Sequence, residues 1–126
     1  HGGTPQANEA RVDAAGVAYR LGQYDKALEL YTAAGKSKGL AGTLALAGVA
    51  STLESQGKLP EAVTAYEALR ARAGGGTRAQ ATLDLARVYA SSGDVDKAKG
   101  LLVSFEEEFP DSLLLPDAQA RLAALQ

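Results

Sequence analysis

The sequence predicts an all-α fold, a right-handed α-solenoid of three helix hairpins followed by a C-terminal capping helix. The main observation is a motif that runs from a glycine to an alanine in three segments that can be aligned, residues 22–27, 57–62 and 93–98. Its glycines, Gly22, Gly57 and Gly93, are 35 and 36 residues apart. A fixed period of this length is typical of stacked helical units. In addition, β-branched residues do not alternate with polar ones, so no strand is predicted.

The first hairpin is predicted over about residues 8–38. Its first helix should begin near Pro5, because the Thr4 side chain can cap free backbone amides and a proline at the first helical position loses no hydrogen bond. The helix should end at Gly22, which can adopt the left-handed conformation that closes a helix without steric cost. The second helix is predicted over residues 25–34, with its apolar side chains on one face.

The second hairpin is predicted over about residues 39–74 and follows the same plan. Its first helix should end at Gly57. Pro60 is expected to open the return helix at the first helical position. Leucine, alanine and valine side chains spaced as on one helical face precede and follow this turn.

The third hairpin, about residues 77–110, should begin with a capping box between Thr77 and Gln80. Asp94 is expected to cap its second helix, which should end at Phe109 because a proline follows.

A last helix is predicted over about residues 115–125, where Ala118, Leu122 and Leu125 fall on one side. This helix is expected to cap the open end of the stack. Residues 5–126 are therefore predicted to form one domain, and residues 1–4 a cloning remnant or a disordered N-terminus.

Composition and charge exclude several classes of function. The 13 basic and 15 acidic residues give a net charge of -2 and form no basic cluster, which disfavours nucleic acid as a partner. No apolar run approaches the roughly 20 residues needed to cross a bilayer, so this segment is not expected to insert into a membrane. Cysteine is absent and the single histidine is His1, so thiolate and histidine metal sites and histidine-dependent catalysis lack their central groups. No enzyme activity, metal or cofactor is predicted.

Three local patterns that could suggest chemistry have simpler explanations. Residues 106–108 are consecutive glutamates, which point in different directions around a helix and do not converge. Residues 94–96 are similar to the start of a calcium loop, but Lys99 and Phe105 stand where that loop needs glycine and glutamate. Residues 74–77 lack the glycine-lysine pair of a phosphate-binding loop.

The repeated motif resembles the tetratricopeptide repeat, a helix hairpin of about 34 residues with small and aromatic residues at set positions. The positions that carry the resemblance are the turn glycines Gly22, Gly57 and Gly93, the alanines Ala27, Ala62 and Ala98, the aromatics Tyr31 and Tyr66, and the closing Pro110. The sequence departs from the family pattern where Arg11, Leu46 and Thr82 replace a large aromatic of the first helix and Leu102 replaces an aromatic of the third repeat. The resemblance implies stacked hairpins with a concave side lined by the first helix of each hairpin, and a protein or peptide as the partner.

The resemblance also implies which residues line that concave groove. They are Val12, Tyr19 and Arg20 from the first repeat, Leu44, Ser51 and Glu54 from the second, and Gln80, Leu83 and Arg87 from the third, with Glu9, Gly16, Ala47 and Ser91 beside them. This mixture of apolar, small and polar side chains suits an extended peptide or a helix. One branch of the family clamps the C-terminal carboxylate of chaperones with several basic and amide side chains. Only Arg87 fits that pattern here, so such a role is not expected.

The tail from Phe105 to Ser112, followed by Ala118, Arg121 and Leu122, resembles repeat proteins of the bacterial envelope. Those proteins include secretion-ancillary proteins and the Tol-Pal associated cell division coordinator. The resemblance implies an interaction scaffold in an envelope assembly, periplasmic or membrane-anchored and facing the periplasm, with a cytoplasmic location as the alternative. The alternative function is self-association of a larger membrane-anchored protein, in which leucines 113–115 pack against another copy.

Overall fold

The computed structural model describes residues 4–126, so most of the predicted N-terminal remnant lies outside the described residues. Over this range it contains seven α-helices and no strand, which confirms the predicted all-α fold. The helices are α1 (Pro5–Arg20), α2 (Tyr24–Gly35), α3 (Leu40–Ser55), α4 (Leu59–Arg72), α5 (Gly75–Ser91), α6 (Val95–Glu108) and α7 (Leu115–Leu125). Helix α7 has the predicted bounds, and the predicted ends of α2, the start of α4 and the end of α6 differ by one residue. None of these seven helices is both long enough and apolar enough to span a membrane.

The chain divides into two compact units, His1–Ala68 and Leu69–Gln126. The first holds α1, α2, α3 and most of α4, and the second holds the last residues of α4 with α5, α6 and α7. In the first unit α2 packs against both α1 and α3, and in the second α6 packs against both α5 and α7. Within each unit, these helices that are neighbours in the sequence are therefore also neighbours in space, as a repeat of helix hairpins requires.

Each hairpin turns at the glycine of the repeated motif. Gly22, Gly57 and Gly93 have φ angles of 77°, 77° and 91°, in the left-handed region that other residues avoid. The Gly22 amide donates to the Tyr19 carbonyl at 3.0 Å, and the following amide donates to the Ala18 carbonyl at 2.8 Å. The same pair of hydrogen bonds, the Schellman arrangement, follows α3 and α5. The predicted glycine turns are confirmed, and one geometry closes all three helices.

The start of α1 agrees with its prediction, whereas the start of α6 does not. The Thr4 hydroxyl accepts a hydrogen bond from the Ala7 amide at 3.1 Å, and Pro5 is the first residue of α1. The predicted Asp94 cap is wrong, because its side chain makes no capping hydrogen bond and lies 3.8 Å from the Lys97 ammonium. The glycine turn just before Asp94 leaves it with φ -86° and ψ 61°, which is not the extended conformation of a capping residue.

The predicted capping box of α5 is also wrong. The helix begins two residues earlier than expected, at Gly75, with Gly74 at the cap position. Thr77 therefore lies inside the first turn. The Gln80 side chain donates to Asp84 Oδ1 at 3.2 Å instead of reaching back to a free amide.

The alanine of the repeated motif is buried in every repeat. Ala27, Ala62 and Ala98 are each 0% exposed, so the small residue of the family pattern lies in the core. A methyl group lets two helices approach closely, whereas a longer side chain at such a contact would overpack it.

Helices α2 and α3 pack antiparallel along most of their length. At one end Gln56 Nε2 donates to Asp25 Oδ1 at 2.7 Å. At the other end Gly35 lies against Ala45, which is completely buried. This register places the start of α2 beside the end of α3.

In the second unit a charged cluster joins the end of α4, the start of α5 and the end of α6. The Glu108 carboxylate pairs with Arg70 and, at 2.6 Å, with Arg78 Nε. Arg70 Nε also donates to the hydroxyl of Thr82 at 2.8 Å, and Arg78 donates to the Arg70 carbonyl at 2.7 Å. Thr82 replaces a large aromatic of the family pattern and is fully buried. These hydrogen bonds explain why a polar side chain can be buried there.

Replacing Gly57 by alanine should lower the free energy of unfolding by about 1–2 kcal/mol, because that is the cost of a left-handed φ for an L-residue. No atom lies within 4 Å of the Cβ that alanine would add, so backbone strain alone causes the loss. Urea denaturation measures it.

Gly100→Ala is the matched control, since Gly100 lies inside α6 and its added Cβ also meets no atom within 4 Å. This substitution should raise the free energy of unfolding by about 0.5–1 kcal/mol. Equal losses in the two variants would contradict the explanation by backbone strain.

Candidate functional site

The first unit has an open cleft between α1 and α3. Its volume is about 300 Å³, and its lining residues are Glu9, Val12, Asp13, Leu40, Ala41 and Leu44. Leu40 and Leu44, one helical turn apart, are 74% and 50% exposed, so the cleft presents apolar surface to solvent. Two residues predicted from the sequence, Val12 and Leu44, thus meet in one cleft.

Sequence reasoning missed Leu40 and Asp13 as lining residues. The spacing of Leu40 from Leu44 places both on one face of α3, so helical periodicity could have identified Leu40. The family pattern assigns no groove position to Asp13, and its neighbours gave no other signal.

Tyr19, which was predicted to contact a partner, is held by two contacts within the first unit. Its hydroxyl lies 2.6 Å from Ser55 Oγ, and its ring meets the Tyr24 ring edge-on with centroids 5.3 Å apart. Arg20, its neighbour in the sequence, is exposed. Tyr19 therefore connects α1 with α2 and α3, and its substitution would change packing as well as any partner contact.

Tyr31 of α2 packs directly over Gly48 of α3. A Cβ on Gly48 would overlap the Tyr31 ring, so only glycine permits this approach. Burial raises the pKa of the Tyr31 hydroxyl, and the positive charge of Arg20 partly offsets that rise. The Tyr31 side chain is thus held against the backbone of α3 at Gly48. No sequence signal at Gly48 indicated this contact.

Ser51 and Glu54, two further predicted residues, surround the hydroxyl of Tyr66. That hydroxyl donates to Glu54 Oε1 at 2.9 Å and lies 3.5 Å from Ser51 Oγ. Tyr66 is only 2% exposed, so its polar group depends on partners within the protein. Ser51 and Glu54 therefore stabilise a core side chain, whatever else they contact.

In the second unit, two of the three predicted residues belong to a polar cluster on α5. Asp84 accepts hydrogen bonds from Gln80 Nε2 at 3.2 Å and from Arg87 Nη2 at 2.9 Å. The pKa of Asp84 is raised, because burial outweighs the lowering effects of the Gln80 hydrogen bond and the positive charge of Arg121 on α7. The pKa of Arg87 is lowered, both by burial and by the positive charge of Arg121. Sequence reasoning missed Asp84, although its spacing from Gln80 and Arg87 places all three on one helix face.

The third predicted residue of the second unit, Leu83, is 4% exposed. A ligand cannot reach its side chain without a change in packing. Arg87 and Arg121 instead border a small cleft of about 210 Å³, whose apolar lining includes Ala86, Ala90, Leu102 and Leu125.

The leucines considered for self-association differ in exposure. Leu113 is 97% exposed, whereas Leu114 and Leu115 are half-buried. Leu113 and Leu114 line a cleft of the second unit together with Phe109 and Pro110. Among these three leucines, Leu113 is therefore the one whose side chain is fully exposed to solvent.

Within residues 4–126, no three histidine, cysteine or acidic side chains are grouped so that they could hold a metal ion. What the clefts present to a partner is apolar surface, hydrogen-bonding groups and charge.

Two sequence models of the tetratricopeptide repeat match the chain, one over residues 53–126 and the other over residues 1–41. The chain therefore belongs to the tetratricopeptide repeat family.

The fold is also similar to a solved structure, the crystal structure of PcrH in complex with the chaperone binding region of PopB. The two chains are 16% identical, with a TM-score of 0.77, and the match covers 98% of this chain and 97% of the other. At this identity the likeness concerns the fold, and it confirms the predicted solenoid of helix hairpins. A comparison with curated proteins gave no match.

Replacing Gly48 by alanine should lower the free energy of unfolding by about 1–3 kcal/mol, because the added methyl overlaps the Tyr31 ring. Thermal denaturation measures the loss. Gly16→Ala on α1 is the control, since its methyl would lie 3.5 Å from Arg20 Nη1, an ordinary contact. In a Tyr31→Ala background the Gly48 substitution should cost much less. An undiminished loss in that background would show that the ring is not the cause.

Proposed function

We propose that this protein is an interaction scaffold that binds a peptide or a helix of a partner protein in the cleft between α1 and α3. The observation that carries the proposal is the pairing of exposed leucines on α3 with Val12 on α1 in one concave site. Large apolar side chains exposed together are typical of sites that a partner covers. Family membership supports the proposal, since stacked helix hairpins characteristically present such surfaces.

The chemistry of the cleft indicates what the partner segment contains. Val12, Leu40 and Leu44 offer apolar walls, and covering a side chain of this size contributes about 1.5–3 kcal/mol when burial is complete. The ionisable groups that line the cleft are Glu9 and Asp13, both negative. A complementary segment therefore carries an apolar side chain next to a lysine or arginine.

The structural neighbour gives the proposal a further, independent support. In that structure PcrH is in complex with the chaperone binding region of PopB. A fold of the same kind thus takes a segment of another protein. We assign binding to the present chain on this basis and on the cleft, and we assign it no catalytic step.

The whole chain can be used as bait to select peptides from a displayed random library. The selected peptides should be enriched in an apolar residue adjacent to lysine or arginine. Leu44→Asp should weaken the binding of a selected peptide by about tenfold or more, because it places a charge in an apolar contact. Isothermal titration calorimetry measures the affinity. Circular dichroism should show unchanged helicity, since Leu44 is 50% exposed.

Val103→Asp is the matched control, because Val103 on α6 is 59% exposed and lies outside the cleft. Binding should be unchanged in this variant. Selected peptides that bind Leu44→Asp as tightly as the natural chain would disprove the assignment to this cleft. Tyr19 is the poorer choice for this test because of its contacts with Tyr24 and Ser55.

Self-association is a second candidate function, and the exposure of Leu113 favours it. Light scattering across a dilution series, run on the same samples without peptide, distinguishes the two. A mass that falls on dilution and becomes constant in Leu113→Asp would support self-association. A constant monomer mass would leave peptide binding as the function.

We further propose that the protein works in the bacterial envelope, facing the periplasm. The support is the resemblance of the tail from Phe105 to Ser112 to envelope repeat proteins. In the native cell, the outer membrane can be opened by osmotic shock or by permeabilisation. Protease added afterwards should then degrade the full-length protein. Protection from protease until the inner membrane is lysed would place it in the cytoplasm instead.

A further inference from the structure

One face of α1 carries exposed apolar side chains and lies away from the α1–α3 cleft. It is formed by Ala10, Ala14, Val17 and Leu21, which follow each other at helical spacing. Val17 is 47% exposed and Leu21 is 67% exposed, and both alanines are exposed as well. We call these four residues the free face of α1. Side chains of this kind on one stripe are normally covered by a neighbouring helix.

The corresponding face of α3 shows which kind of neighbour such a face accepts. A shift of 35 residues, the distance between Gly22 and Gly57, relates Ala10 to Ala45 and Val17 to Thr52. Ala45 and Thr52 are both 0% exposed.

Helix α2 covers that face of α3, with a register fixed at three points. Gln56 bonds to Asp25, the Tyr31 ring lies over Gly48, and Ala45 lies against Gly35. The two helices run antiparallel. The free face of α1 is therefore the same stacking surface, one repeat earlier, without its helix.

We infer that the free face of α1 binds an amphipathic helix of a partner protein, lying antiparallel to α1 as α2 lies on α3. The first unit already contains one such interface, in which α2 packs on α3. The proposed helix would pack on α1 in the same way. The four residues of the free face do not line the α1–α3 cleft, whereas Asp13 borders both surfaces. The inference does not depend on the proposed function.

The residues of α1 determine how the bound helix differs from α2. Asp13 stands where α3 has Gly48, so a positive side chain is favoured at the position that Tyr31 occupies in α2. Leu21 stands where α3 has Gln56, so an apolar side chain is favoured in place of Asp25. The partner helix thus has an apolar stripe with a lysine or arginine opposite Asp13.

A partner helix with a basic residue covers the apolar stripe and also pairs with Asp13, which borders the free face. The experiment distinguishes this occupant from a second copy of the chain, whose exposed Arg20 lies one turn beyond Val17.

The test uses the whole chain and a labelled peptide with the sequence of residues 24–38 that carries Asp25→Leu and Tyr31→Arg. A hydrocarbon staple across positions 29 and 33, both exposed in α2, keeps the peptide helical, because a free segment of this length is only marginally so. Fluorescence anisotropy measures its affinity. Binding that weakens by about tenfold or more in Leu21→Asp and is unchanged in Val103→Asp is the expected result.

Charge reversal sharpens the assignment. Asp13→Lys should also weaken binding of this peptide, and a peptide with glutamate at position 31 should restore it. Leu44→Asp should leave this affinity unchanged, so a failure here is separate from a failure of the cleft proposal.

Three results would overturn the inference. They are no binding at peptide concentrations near about 1 mM, binding that Leu21→Asp does not affect, and a dimer of the natural chain that Leu21→Asp alone converts to a monomer. The last result would make a second copy the occupant of the free face.

Discussion

Close contact between helices that carry small side chains is the constraint on which the rest of this structure depends. The motif alanines, represented by Ala27 and Ala98, have no exposed surface, and Gly48 lets an aromatic ring lie on the backbone of α3. Within each hairpin, a short turn at a left-handed glycine joins the two helices. In the first unit the cleft between α1 and α3 and the free face of α1 remain exposed to solvent, and they carry the candidate sites.

The fold could be predicted from the sequence because its signals are local and repeated. Three glycines at a nearly constant spacing fix the turns, and Pro5 with Thr4 fixes the start of α1. The errors occur where local chemistry competes with the preceding turn. The glycine turn before α6 leaves Asp94 out of the extended conformation that capping needs, and α5 begins before Thr77. Propensity for capping is thus outweighed by the path of the chain.

The site could be predicted only in part. The family pattern assigned Val12 and Leu44 to the groove, and in the structure both line one cleft together with Leu40 and Asp13. It could not show that Leu83 is buried, because burial depends on packing that a groove position does not encode. Ser51 and Glu54 likewise bond to Tyr66, a side chain contributed by another helix. Positions on a helix face follow from spacing, whereas a side chain's partners follow from tertiary structure.

The charged cluster of the second unit bears on the order in which the chain folds during synthesis. Glu108 is 38 residues after Arg70 and 30 after Arg78, so it leaves the ribosome long after both arginines. The helix contacts of the first unit, including Tyr19 with Ser55 and Asp25 with Gln56, are complete in sequence well before Glu108 is made, so they can form while translation continues. The start of α5 gains its full set of contacts only once the end of α6 has emerged. In nascent chains that stop before Glu108, we expect the first unit to be structured and the start of α5 to lack its contacts with α6.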